Sequence, residues 1–132
     1  MTIELTYLAL AIVLVFIQLL LPIGIATRER GRAWNAGPRD QPMPPLTGLG
    51  GRLERAHRNI METFPLFMGA VLIAHLAGVH NWVTVTGASL YFWGRVVYVP
   101  LYALGIPYVR SLVWVVSIAG IFLILAAAVL TR

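Results

Sequence analysis

Long apolar segments alternate with polar connections along the chain, and this pattern predicts its main helices. The predicted spans cover about residues 5–25, 52–79, 82–104 and 108–130. About 20 apolar residues in a helix are enough to cross the hydrocarbon core of a bilayer. The second span is largely apolar only from Phe64 to about Val79, which is short for a crossing, so its helix should begin earlier, near Arg52. The second and third connections are very short, which makes successive helices antiparallel neighbours. The pattern therefore predicts an all-α integral membrane protein, a four-helix up-down bundle in a single domain.

The first connection, from Thr27 to Gly51, is longer and is rich in arginine, glycine and proline. It contains the run QPMPP over residues 41–45. Because proline lacks a backbone donor and resists helix formation, we expect a loop here. The arginines in or beside this loop are Arg28, Arg30, Arg32, Arg39, Arg52, Arg55 and Arg58, and Arg110 lies at the third connection. Cationic loops stay on the cytoplasmic side, so we expect the first and third loops in the cytoplasm and both termini outside.

Composition supports a membrane protein and excludes several chemistries. Hydrophobic residues make up 59% of the 132 residues and the mean hydropathy is +0.82, whereas a soluble domain is about 45–50% apolar. The net charge is +5, but the arginines flank apolar segments instead of forming a basic face, so we expect no nucleic-acid partner. The chain has no cysteine, and its three histidines lack ligand spacing, so no metal site is predicted. Any thiol chemistry must use a thiol that a ligand brings.

A mixed polar face opens the second apolar segment. In a helix, Arg55, Asn59 and Glu62 lie at i, i+4 and i+7, and Arg58 shares their face. Exposing cations, an amide and a carboxylate to lipid is costly, so this face should line a cavity or a subunit interface. The alternative is a set of intrahelical ion pairs that only anchors the end of the helix.

Two further groups of polar residues extend this prediction. Arg95 lies near the middle of the third segment, with Tyr98 and Tyr102 on nearly the same face, and Arg110 and Ser111 open the fourth. Backbone N–H groups and the helix dipole favour an anion at such a helix start. The alternatives are structural: Arg95 pairs with Glu62 or snorkels to the surface, the tyrosines anchor the interface, and Arg110 fixes topology.

These residues carry a family resemblance that covers nearly the whole chain. The run RAHRNIMET over residues 55–63 resembles the second-helix signature of the MAPEG family, membrane-associated proteins in eicosanoid and glutathione metabolism. The run GRVVY over residues 94–98, together with Tyr102, Arg110 and Ser111, is similar to ligand segments in the third and fourth helices of its prostaglandin synthases. The compact length and short loops look more like the bacterial branch, which implies the bacterial inner membrane.

The resemblance implies a homotrimer that binds glutathione between adjacent subunits near the cytoplasmic side. The expected partners are glutathione, the surrounding membrane lipids and a lipophilic small-molecule substrate that arrives through the bilayer. Arg110 matches the arginine that stabilises the glutathione thiolate, and is therefore the implied catalytic residue. Tyr98 and Trp114 depart from the histidine and tyrosine of the prostaglandin synthases, which argues against prostaglandin chemistry more than against glutathione binding. The implied glutathione-binding residues are Arg28, Arg55, Arg58, Asn59, Glu62, Arg95, Tyr98, Tyr102 and Ser111.

The sequence thus predicts a glutathione-dependent membrane transferase for lipophilic electrophiles, and leaves open conjugation, peroxide reduction and isomerisation. A non-catalytic lipid-binding relative of the same family is the first alternative, and weak glutathione binding would favour it. A small four-helix transporter is the second. Such a transporter should carry a carboxylate inside its first span, where this chain has Gln18, with Glu4 only at the very end.

Overall fold

The computed structural model describes residues 1–131, and these residues form five α-helices and no strand. The prediction of an all-α fold is confirmed. Four helices are long and one is a short connecting helix. Their bounds are α1 Ile3–Arg30, α2 Arg32–Ala36, α3 Gly48–Leu76, α4 Trp82–Ala103 and α5 Val109–Leu130.

Three of the long helices, α1, α3 and α5, are long and apolar enough to cross a membrane. Large apolar side chains such as Phe16 and Phe122 are exposed on their surfaces, as expected for residues that face lipid. The remaining long helix, α4, is 22 residues long, as α5 is. It is more polar than α5, because it contains Arg95 and three tyrosines. Three of the long helices, α1, α3 and α4, contain an internal proline, and none of these prolines, Pro22, Pro65 and Pro100, interrupts its helix.

The prediction of an uninterrupted loop from Thr27 to Gly51 was wrong in its extent. Arginine and glutamate are good helix formers, so α1 continues through the charged residues to Arg30. It ends at Gly31, whose φ of 89° suits glycine, and α2 follows at once. The loop proper spans residues 37–47, which include the proline-rich run, and α3 already begins at Gly48.

Close contact between two glycines fixes the crossing of α4 and α5. A Cβ atom added to Gly87 would lie 2.5 Å from the carbonyl oxygen of Gly120, and one added to Gly120 would meet the carbonyl of Gly87. Small residues let helix backbones approach in this way within a membrane. The core continues into α3, where the Phe67 and Tyr91 rings stack with their centres 4.1 Å apart.

The start of α1 is tied to the start of α4 through a buried carboxylate. Glu4 is only 3% exposed, and it accepts a hydrogen bond from the Thr84 hydroxyl. The Thr84 hydroxyl also accepts from the backbone N–H of Asn81, whose side chain caps the first turn of α4 in return. This cluster, Glu4 with Thr84 and Asn81, lies at the opposite end of the helices from the arginine-rich loop.

Candidate functional site

A cavity of about 370 Å³ opens between α3, α4 and α5 at the ends near the arginine-rich loop. All three helices contribute polar side chains to its wall. The lining residues are Arg55, Arg58, Asn59, Glu62, Tyr98, Tyr102, Arg110, Ser111 and Trp114. Eight of these nine residues belong to the predicted site, so the structure brings most of the predicted residues together.

One face of α3 supplies four of these side chains. Arg55, Arg58, Asn59 and Glu62 recur at helical spacing and line the same cavity, whereas Ala56 and Ile60 of the same turns are fully buried in the protein. Helical periodicity therefore separates a packing face from a cavity face. The polar side chains lie on the face that is open to a ligand.

Glu62 is the single carboxylate in the cavity wall. Among the residues 1–131, no arginine nitrogen lies within 4.0 Å of a carboxylate oxygen of Glu62. The alternative predictions of an ion pair with Arg95, or of an intrahelical pair on α3, are therefore wrong for this chain by itself. The cavity thus offers three guanidinium groups and one unpaired carboxylate to a ligand.

The start of α5 forms the opposite wall and carries Arg110 and Ser111 in its first turn. The preceding residue, Tyr108, has φ 58° and provides no side-chain hydrogen bond to cap the helix. The first N–H groups of a helix have no partner within it, and together they create a partial positive charge. The Arg110 guanidinium therefore adds a full charge to an end of the helix that already favours anions.

Tyr102 lies between two of the arginines. Its ring centre is 4.4 Å from the Arg110 guanidinium carbon, and its hydroxyl accepts a 3.3 Å hydrogen bond from Arg55 Nε. These contacts hold α3, α4 and α5 together around the cavity and restrict the movement of the Arg55 and Arg110 side chains. Tyr98 packs next to Tyr102, with ring centres 5.6 Å apart.

Arg95 lies behind the cavity wall and does not line it. Its side chain is fully buried, donates a 2.7 Å hydrogen bond from Nη1 to Asn59 Oδ1, and places its guanidinium 4.1 Å from the Tyr98 ring centre. Its Nε and Nη2 groups have no hydrogen-bond partner among the described residues. Arg95 therefore contacts two wall residues but has no surface of its own in the cavity.

Two other residues differ from the prediction. Arg28 is exposed near the end of α1 and does not line this cavity. Trp114, which was not among the predicted binding residues, does line it. It follows Arg110 by four residues, so helical spacing from Arg110 was the signal that could have found it. Its indole Nε1 is buried and has no hydrogen-bond partner within the described chain.

These features define a helical membrane protein with an arginine-rich cavity at one end of its helices. The sequence model of the MAPEG family matches residues 7–130, nearly the whole chain, so the chain belongs to the MAPEG family. No curated protein and no solved structure gives a significant match. The resemblance in the second-helix motif is therefore confirmed at the level of the family.

Proposed function

We propose that this protein is a glutathione-dependent transferase that acts on lipophilic electrophiles. Members of the MAPEG family are typically glutathione-dependent transferases or related enzymes, and family membership covers nearly the whole chain. The observation that carries the proposal is the charge pattern of the cavity, three guanidinium groups and one unpaired carboxylate beside an uncapped helix start. Glutathione has two carboxylates, one ammonium group and a thiol, and this wall offers a counterpart for each.

In this proposal, Glu62 binds the ammonium group and the arginines of α3 bind the carboxylates. Arginine matches a carboxylate with two parallel hydrogen bonds, which gives orientation as well as affinity. Arg55 is already fixed by the Tyr102 hydroxyl, so less side-chain entropy is lost on binding. The amide of Asn59 and the hydroxyls of Tyr98, Tyr102 and Ser111 add neutral hydrogen bonds around the peptide.

Arg110 carries the chemical step. A free thiol has a pKa near about 8.5, and a cation beside the sulfur stabilises the thiolate and lowers the pKa of the bound thiol. Arg110 and the N–H groups of the first turn of α5 supply that positive charge, and the proton leaves to water. The thiolate sulfur then attacks the electrophilic carbon of the substrate, a C–S bond forms, and the leaving group departs with its electron pair. No protein nucleophile is required.

The proposal includes a trimer in which α1, α3, α4 and α5 of each subunit cross the membrane as an up-down bundle. Two observations support it. The exposed Arg28 at the end of α1 is free to reach the cavity of an adjacent subunit, and a Cβ atom added to Gly69 of α3 would meet nothing within 4 Å, so this face can receive a neighbouring helix. Ala70 and Ala74 are already buried inside the subunit and are not available for that contact.

Orientation and assembly have separate tests. Because the chain has no cysteine, single variants such as Gln41→Cys and His80→Cys can be labelled in intact bacteria without background. If the first loop lies on the cytoplasmic side of the inner membrane, the cysteine at position 80 should react with an impermeant maleimide, and the cysteine at position 41 should not. The reverse labelling would overturn the orientation. Native mass spectrometry that finds only monomers or dimers would overturn the trimer.

The decisive test of function is titration calorimetry of the purified protein with glutathione. We expect saturable binding, stronger absorbance of the thiolate when glutathione is added, and conjugation of a hydrophobic chloronitroarene. A lipid-binding relative without catalysis would show neither the absorbance nor the conjugate. Absence of glutathione binding by the correctly assembled oligomer would overturn the proposal.

A further inference from the structure

A second cavity, of about 420 Å³, lies between α1, α2 and α3 and shares no lining residue with the candidate site. We call it the loop crevice. One wall is apolar and comes from α1, where Leu19, Pro22, Ile23 and Ala26 line it. The opposite end is polar and lies at the level of the first loop. An occupant must therefore be apolar along one part and polar at the other.

Two arginines at the polar end contact the same indole. The guanidinium carbons of Arg30 and Arg39 lie 4.8 Å and 5.2 Å from the Trp34 ring centre, and all three residues line the crevice. Within residues 1–131, neither guanidinium has a carboxylate oxygen within 4.0 Å. The indole attracts each cation, but it does not neutralise either of them.

Both arginines are held in place by the backbone and side chains around them. Arg30 Nη2 donates to the Pro44 carbonyl at 2.6 Å, and Arg39 donates through Nε and Nη2 to the backbone and side-chain oxygens of Asn35. Arg39 itself has φ 59°, a conformation that is uncommon outside glycine. Among residues 1–131, the remaining guanidinium N–H groups of both arginines, including both Nη1 groups, have no hydrogen-bond partner and are available to an anion.

The charge of the lining also favours an anion. Glu54 is the one acidic residue among the residues that line the crevice, against two arginines. The two guanidinium groups contact the same indole and repel each other, and an anion bound beside them would offset that repulsion. A phosphate matches the guanidinium fork with charge-assisted hydrogen bonds.

We propose that the loop crevice binds an anionic phospholipid, with its phosphate on Arg30 and Arg39 and an acyl chain along α1. From Arg30 to Leu19 the helix rises by about 16 Å at 1.5 Å per residue, roughly half of a bilayer core of about 30 Å. The distance from the polar end of the crevice to the far end of its apolar wall therefore matches the length of a lipid from its headgroup to its acyl chain within one leaflet. Trp34 lies where indoles concentrate at the membrane surface. This site is separate from the proposed glutathione site.

The test is native mass spectrometry of delipidated protein to which defined lipids are returned. We expect phosphatidylglycerol to bind in preference to phosphatidylcholine, and Arg30→Gln or Arg39→Gln to weaken that binding roughly tenfold each. Glutamine keeps an N–H donor for the Pro44 or Asn35 oxygen, so the loop should be retained. The matched control is Arg32→Gln, because Arg32 is an exposed arginine of α2 that does not line the crevice.

A second readout uses phosphatidylglycerol with brominated acyl chains, which quench nearby indoles. Quenching should decrease in Trp34→Phe, whereas inorganic phosphate at the same concentration should not displace the lipid. Binding unchanged in both glutamine variants, or reduced as much by Arg32→Gln, would overturn the proposal. Displacement by inorganic phosphate would also overturn it, because the site would then hold an aqueous anion. Glutathione affinity should remain at the wild-type value in Arg30→Gln and Arg39→Gln, so failure here is distinct from failure of the proposed function.

Discussion

Arg95 determines which side of the Asn59 amide faces the cavity. The 2.7 Å contact joins Arg95 Nη1 to Asn59 Oδ1, and because arginine has only donors, the amide oxygen must be the atom that points at it. The Asn59 NH₂ group is then the part of the amide that remains for a ligand. A fully buried residue behind the wall thereby makes Asn59 a donor towards the cavity and not an acceptor.

Asn59→Asp should separate stability from binding. The new carboxylate would pair with Arg95, whose charge is otherwise buried with two groups unpartnered, so the melting temperature should rise. An ionised carboxylate has no donor, so glutathione affinity should fall about tenfold or more. Thermal unfolding in detergent and calorimetry with glutathione measure the two effects. A more stable variant that binds glutathione normally would show that the amide donor is not used.

Glu62→Gln should weaken glutathione binding without loss of stability. A charge-assisted contact to the ligand ammonium contributes about 1.5–3 kcal/mol, or roughly tenfold or more in affinity. Because Glu62 has no ion pair within the described chain, the melting temperature of the Glu62→Gln variant should differ little from that of the wild type. Glu54→Gln, on the same helix but outside this cavity, is the control. Unchanged affinity with a lower melting temperature would instead assign Glu62 a structural role.

Arg110→Ala should reduce turnover more than it reduces glutathione affinity. Arg110 lies in the first turn of α5 and lines the cavity, so its charge acts on the developing thiolate. Loss of one such electrostatic contact typically costs about 10²–10³ in rate. Thiolate absorbance and chloronitroarene conjugation measure the effect, with the exposed Arg32→Ala as a control for general loss of positive charge. Wild-type signals in Arg110→Ala would leave Arg110 as a topology anchor.

Gly87→Ala and Gly120→Ala should both destabilise the protein. Either added methyl group would collide with the backbone of the facing helix, and such overpacking typically costs about 1–3 kcal/mol. Gly24→Ala is the matched control, because a Cβ atom there would meet nothing within 4 Å. Thermal unfolding in the same detergent compares the three variants. If the control lost as much stability as the other two, the close crossing of α4 and α5 would not be the cause.

The sequence predicted the α3 part of the site well because that part depends on one helix. Arg55, Asn59 and Glu62 recur at a period that any straight helix converts into a shared face, so no tertiary information was needed. The apolar segments likewise predicted the long helices. The charged residues at the C-terminal end of α1 were wrongly predicted to be loop, because helix propensity, and not hydrophobicity, decides where such a helix ends.

The wrong predictions concern residues whose position relative to the cavity depends on how the helices are rotated and packed against each other. Arg95 shares a helix face with Tyr98, but at its level α3 closes against α4, so the side chain lies behind the wall. Trp114 reaches the cavity because the glycine contact sets the rotation of α5 against α4. Arg28 is exposed in the last turn of α1, and it is not among the residues that line this cavity.

The buried contact of Glu4 with Thr84 has a consequence for synthesis of the protein. The two residues are 80 positions apart, so the helix that is made first cannot be fixed until most of the chain has followed. At about 5–20 residues per second, the ribosome needs roughly 4–16 s to produce the partner. During that interval the carboxylate of α1 must remain hydrated outside the hydrocarbon region, because burial without a partner is costly. The nascent first helix should therefore stay mobile in the membrane until α4 arrives.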